Sequence, residues 1–135
     1  MIFRTKLERH VTLTKEAQEG ILSYCKMNHP DDMVLILKGK SKKGDMLIDG
    51  LVIPPFSETG PTFAGFPSSF LPLDLSYIGS AHSHPQGAAE PSLDDLNNFF
   101  GLVSIIVKSP YNKEDIFAWD SSGNSIPISV LESKT

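Results

Sequence analysis

Five consecutive apolar residues, Met33-Val34-Leu35-Ile36-Leu37, constrain this chain more than any other feature. The run lies between Pro30 and the Lys-rich stretch 38–43, too short a window for a helix, so it reads as a buried strand. A buried strand calls for a sheet, and the flanking segments supply the rest. Thr14 can cap a helix running to about Asn28, with Ala17, Ile21, Leu22, Tyr24 and Cys25 on its apolar side and Pro30 as its stop. That helix is expected to lie on the sheet.

After a turn over residues 40–45, residues 46–53 read as a second strand, ended by Pro54-Pro55. Residues 56–72 are rich in Gly, Pro and Ser yet carry Phe56, Phe63, Phe66 and Phe70, a heavy aromatic load for a linker. Such a stretch either folds over the core or grips a ligand. A strand over 75–81, a helix over 92–100 and a strand over 102–107 follow, and 115–119 is expected to pair with 126–130 across the turn 120–124. The order of helices and strands gives an α+β fold rather than alternating βαβ units, in one domain over residues 1–135.

Composition excludes several functions. Of 135 residues, 40% are hydrophobic and 21% charged, which is ordinary for a globular protein able to build a core. The net charge is −4 and lysines cluster only at 38, 40, 42 and 43, so no basic stripe is available for nucleic acid. Apolar runs fall far short of the roughly 20 residues that span a membrane, and a cytoplasmic location is expected. Cys25 is the only cysteine, which rules out disulfides and thiolate metal sites within the chain. Any metal must be held by His and carboxylate.

His82-Ser83-His84-Pro85 follows directly on a predicted strand. The period of two sends both imidazoles to one side, where they can converge on a metal, most often zinc where no thiolate or redox partner is present. A polar strand end would explain the pair as well. Asp95 stands eleven residues beyond His84, and Gly87-Ala88-Ala89 allows the chain to turn back and deliver it. Ser92-x-x-Asp95 also matches a capping box, which accounts for both residues without a metal. Against that, Ser92, Asp95 and Phe99 share a helical face; if Phe99 faces the core, Asp95 is carried inward, where a lone carboxylate is costly and a cation would offset the cost.

His82-Ser83-His84-Pro85 with Ser92 eight and Asp95 eleven positions after His84 resembles the motif of the JAMM, or MPN-plus, metallopeptidases. The likeness runs from about Thr14 to Val130 and is nearest in style to short single-domain archaeal members. It takes in His29-Pro30-Asp31-Asp32 as their Pro-x-Glu segment, Leu71-Pro72-Leu73-Asp74, Gly79-Ser80-Ala81 and the turn 119–123.

The resemblance implies a curved mixed sheet flanked by helices and one zinc ion on His82, His84 and Asp95. It implies Asp32 as the general base that relays a proton from water to the leaving amine, and Ser92 as donor to the oxyanion. The substrate it implies is a peptide or isopeptide bond at the C-terminus of a small ubiquitin-like modifier; the aromatic load of residues 56–70 makes that segment a candidate contact, with a loop that tucks its rings into the core as the alternative. One position departs from the motif: Asp32 stands where the family has Glu, one methylene shorter. Two further readings therefore stay open, a non-cleaving module that binds ubiquitin-like proteins and a protease that processes a sulfur-carrier protein. Cys25 and Trp119 read as packing residues, and His10 and His29 have no partner at ligand spacing.

Overall fold

The computed structural model describes residues 8–54, 58–59, 64–65, 76–97 and 99–131. Strand β1 (His10–Thr14) runs directly into helix α1 (Lys15–Asn28). Thr14 makes the change of direction: its backbone is still extended, and its Oγ1 accepts from the Ala17 N–H at 3.1 Å, satisfying a donor that the first turn leaves orphaned. Ala17, Gln18, Ile21, Leu22 and Cys25 are buried, with Tyr24 packed partly against the core, so the expected apolar side holds. The helix ends where expected, His29 donating back to the Cys25 carbonyl just before Pro30.

Strands β2 (Val34–Lys42) and β3 (Asp45–Val52) form a hairpin. The six-residue turn anticipated at 40–45 shrinks to Lys43 and Gly44, both at positive φ (52° and 88°). A turn with two positive φ values matches the right-handed twist of paired strands, which lets the ladder run to its tip. Glu58–Thr59 (β4) and Ala64–Gly65 (β5) pair as a small antiparallel ladder. The phenylalanines at 56, 63, 66 and 70, and the stretch 71–74, lie outside the described residues.

Strand β6 (Tyr77–His84) is longer than expected and contains both histidines rather than ending before them. Helix α2 (Leu93–Asn97) is shorter, closing before Phe99. Strand β7 (Val103–Lys108), a 3-10 turn (Lys113–Asp115) and strands β8 (Ile116–Trp119), β9 (Ser125–Ile126) and β10 (Ile128–Leu131) complete the chain. Of the stretch 126–130 expected to pair with β8, only the β9 part does so; after Pro127 the chain leaves the hairpin and residues 128–131 lie parallel to β1. Proline removes a ladder donor, so the strand breaks there.

Eight strands form one mixed sheet in the order β10-β1-β3-β2-β6-β7-β8-β9. Its two outermost strands, β9 and β10, are separated by Pro127 alone. Laid flat, eight strands would hold their edges more than ~30 Å apart, whereas one residue spans at most about 3.6 Å. The sheet is therefore curled so that its two edges come together at Pro127, whose carbonyl accepts from the Val11 N–H at 2.9 Å and ties the junction to β1. This is the α+β architecture with a curved mixed sheet that the sequence implied. Helix α1 packs against β1, β3, β6 and β10, over a core that includes Val11, Leu13, Ile21, Leu35, Leu37, Ile48, Ile105 and Val107. On the opposite face Val34, Ile36 and Ile106 are also buried, which explains why β2 is apolar at successive positions. No helix among the described residues is long and apolar enough to cross a membrane.

Candidate metal centre

Sheet register places the first two candidate ligands. In β6, Ala81 and Ser83 point to the α1 side and are fully buried, so His82 and His84 point to the other. His82 is in register with Val34 of β2 and Ile106 of β7. Their imidazole centroids are 5.0 Å apart. Ser83 fixes the strand from beneath: its Oγ accepts from the Met33 N–H at 2.8 Å while its own N–H donates to the Met33 carbonyl at 3.2 Å. The segment holding Asp32 is thereby tied to the strand holding the histidines.

Asp95 reaches the same point from the loop. Ser92 Oγ accepts from the Asp95 N–H at 3.0 Å and Asp95 Oδ2 accepts from the Ser92 N–H at 2.8 Å, which is the capping box in full. The same carboxylate lies 3.2 Å from His82 Nε2 through Oδ1 and 3.3 Å from His84 Nε2 through Oδ2. Capping and ligand readings thus describe one geometry. The route through Phe99 is not the one taken: α2 ends at Asn97, so Asp95 is brought inward by the turn of the loop and not by a shared helical face.

His84 Nδ1 donates to the Ala88 carbonyl at 2.9 Å, which leaves the Nε2 lone pair of the neutral ring facing a carboxylate oxygen. Two lone pairs at that distance require a positive charge between them. His82 Nε2, despite its 3.2 Å approach to Asp95, is buried without a hydrogen-bond partner, and so is Oδ1 of Asp32. One donor atom from each of His82, His84 and Asp95 falls within 4.8 Å of the others, a group that could hold a metal ion. The orphaned imidazole and the misdirected lone pair fit that occupant better than an ion pair alone.

Charges in the site follow from this crowding. Burial pushes Asp95 upward, but its contacts with His82, His84 and the Ser92 N–H outweigh it and hold the carboxylate far below the usual range. Burial would lower His84, yet Asp95 and the Ala88 carbonyl together raise it. Asp32 is raised, by burial first, with His84 and His82 acting against it and Asp95 and Asp31 adding to it. Asp32 is thus near enough to both histidines and to Asp95 to feel their charge.

Other residues turn out better connected than their sequence context indicated. His29 shares a 2.7 Å hydrogen bond with Tyr111, which is 2% exposed and holds a left-handed φ of 67°, uncommon for an aromatic residue. His10 bonds Ser129 at 2.8 Å. Neither histidine joins the triad. Trp119, read as packing, donates from Nε1 to the Ala89 carbonyl at 3.1 Å. Ser83 was legible only as the residue pointing away from the two imidazoles; that this side is the core, where its hydroxyl must find a partner, was the missed signal. Cys25 is fully buried, in keeping with a packing role.

The model of the family described as prokaryotic homologs of the JAB domain matches residues 14–122. A protein of Haloferax volcanii named probable metalloprotease is 32% identical over 130 residues, covering 90% of this chain and 80% of its own. A JAB1/MPN domain protein from Archaeoglobus fulgidus superposes with a TM-score of 0.68 at 28% identity, over 90% of this chain and 99% of its own. A structure of JAMM, described as a metalloprotease-like zinc site in the proteasome and signalosome, gives 0.67 at 26% identity, over 94% and 100%.

Proposed function

Given that this chain belongs to the family of prokaryotic JAB-domain homologs, we propose that it is a zinc-dependent metallopeptidase that hydrolyses peptide or isopeptide bonds at the C-terminus of small ubiquitin-like modifiers. The observation that carries the reading is the triad of His82, His84 and Asp95 with a buried, unpartnered carboxylate oxygen of Asp32 beside it. Two imidazoles and one carboxylate suit zinc, and three protein ligands leave a coordination position open, as in catalytic rather than structural sites. When bound, zinc would supply Lewis acidity and a water acidic enough to attack near neutral pH.

The protein's own groups do the rest. Asp32 takes the proton of the attacking water and delivers it to the leaving amine, and its burial favours the protonated form that this relay passes through. Ser92 keeps its hydroxyl hydrogen while its oxygen accepts from Asp95, so capping and donation to the developing oxyanion are compatible. His84 is held by the Ala88 carbonyl in the tautomer that leaves Nε2 free for the ion. Asp in place of Glu shortens the reach by one methylene, while the Met33–Ser83 contact fixes the segment against β6.

The test couples metal content to turnover. Metal-replete protein is expected to carry one zinc per chain and to release a reporter fused to the C-terminus of a ubiquitin-like modifier. Asp32→Ala should keep the zinc and lose about a hundredfold or more in rate, while Asp32→Glu should retain cleavage. Full activity in Asp32→Ala would overturn the assigned base, and a metal-free preparation the mechanism as a whole. Cleavage absent in the wild type but restored in Asp32→Glu would instead mark a binding module.

A further inference from the structure

The three candidate ligands are held to very different degrees. His82 and His84 sit in the middle of an eight-stranded sheet, but Asp95 rides on a five-residue helix none of whose side chains is buried. Such a helix has neither the length nor the core contact to fix itself. Its position leans on contacts made outside the helix, the loop before it among them.

That loop is pinned at two consecutive carbonyls. Ala88 O accepts from His84 Nδ1 at 2.9 Å, and Ala89 O accepts from Trp119 Nε1 at 3.1 Å, with the Ala89 side chain 7% exposed. Trp119 is on β8, two strands from β6, and its register through Ser104 and Ser80 puts its side chain on the face that carries His82 and His84. The turn after it is stiffened by Asp120, whose Oδ1 accepts from the Ser122 and Asn124 N–H groups at 2.9 Å each. Within that turn Gly123 packs beside Leu96 of α2: a β-carbon there would sit 3.7 Å from Leu96 Cδ1. The β8–β9 hairpin therefore touches the ligand-bearing segment on both sides of Asp95.

We propose that Trp119 is a positioning residue of the metal centre, its indole N–H holding the Ala89 carbonyl so that Asp95 is presented to both imidazoles. The inference rests on reading the triad as a metal site. What indole adds to packing here is a donor-only N–H, and the acceptor it finds is the loop carbonyl of Ala89. Partners bonded directly to a metal ligand commonly change affinity ten- to a hundredfold, and Trp119, acting one residue beyond the carbonyl that holds His84, belongs at the lower end of that range.

The experiment compares zinc affinity, by competition with a chromophoric chelator, in wild type, Trp119→Phe and Ile126→Val, the last a small trim of the buried core in the same hairpin. Urea unfolding of each metal-free protein sets the stability baseline. Trp119→Phe is expected to bind zinc about tenfold more weakly, with Ile126→Val within twofold of wild type. Wild-type affinity in Trp119→Phe, or weakening matched by Ile126→Val at equal stability, would overturn the proposal. A second readout needs no variant: Trp119 is the only tryptophan, so its emission should change with the same zinc midpoint as the competition assay, and constant emission through saturation would count against it. If wild type binds no zinc at all, the metal-centre reading fails first, a result distinct from the others.

Discussion

Asp95 meets two demands with one carboxylate, and the sequence states them as rivals because spacing alone cannot show where each oxygen points. Oδ2 serves the cap and His84, and Oδ1 serves His82. His82 and His84 were legible because strand period fixes facing, whereas Asp32 was legible only through the family resemblance, since an Asp-Asp pair after a helix stop otherwise reads as solvated surface. Trp119 was not legible, since its acceptor lies 30 residues away in a loop without local pattern. Cys25 illustrates the opposite case, a residue whose chemistry follows directly from burial. It is fully enclosed and its thiol is pushed up to about 12 by desolvation. At pH 8 only about one thiol in ten thousand would then be ionised. Folded protein should accordingly resist iodoacetamide until urea unfolds it, as mass spectrometry would show, and prompt labelling of native protein would contradict that burial. Because the folded value is raised above the unfolded one, the associated stability is complete below pH 9 and lost as the pH climbs toward 12.

Among the elements, β6 bears the heaviest constraint. It pairs antiparallel with β2 and parallel with β7, packs Ala81 and Ser83 toward α1, and presents His82 and His84 on the reverse face. The sequence revealed the strand but ended it before the histidines, since a His-x-His stretch lacks the apolar signal that marks strand interiors. Helix α2 was overextended for the converse reason: Phe99 and Phe100 look periodic, yet nothing before the structure shows that the chain has already turned. Gly79 is where β6 leaves least room. A β-carbon there would lie 2.1 Å from the Val103 carbonyl oxygen and 2.8 Å from Val103 Cγ1, so the β6–β7 pair would have to part. Gly79→Ala is expected to cost about 2 kcal/mol, read as a lower urea midpoint in metal-free protein, and a midpoint equal to wild type would show that the two strands can separate without penalty.

At the scale of the whole molecule, the least legible feature was the closure of the sheet. Residues 126–130 look like one strand locally, but Pro127 divides them and sends the last four described strand residues to β1, at the far edge of the strand order. Pairing between residues more than a hundred positions apart leaves no local trace. Closure puts the first and last described strands in one ladder, so the core and the face carrying the triad should unfold together. The triad is brought together only in that folded state: its residues come from strand β6 and from helix α2, whose preceding loop is hydrogen-bonded to Trp119 of the β8–β9 hairpin. An ion bound to the native chain alone stabilises it by RT ln(1 + [L]/Kd), about 2.7 kcal/mol at a hundredfold excess over Kd. For a chain of this size that corresponds to a rise of roughly 8–10 °C in Tm. Calorimetry of chelator-stripped protein against zinc-replete protein should show that rise, and Asp95→Ala should remove most of it. A Tm unmoved by zinc would mean that the triad is not assembled for an ion by the fold.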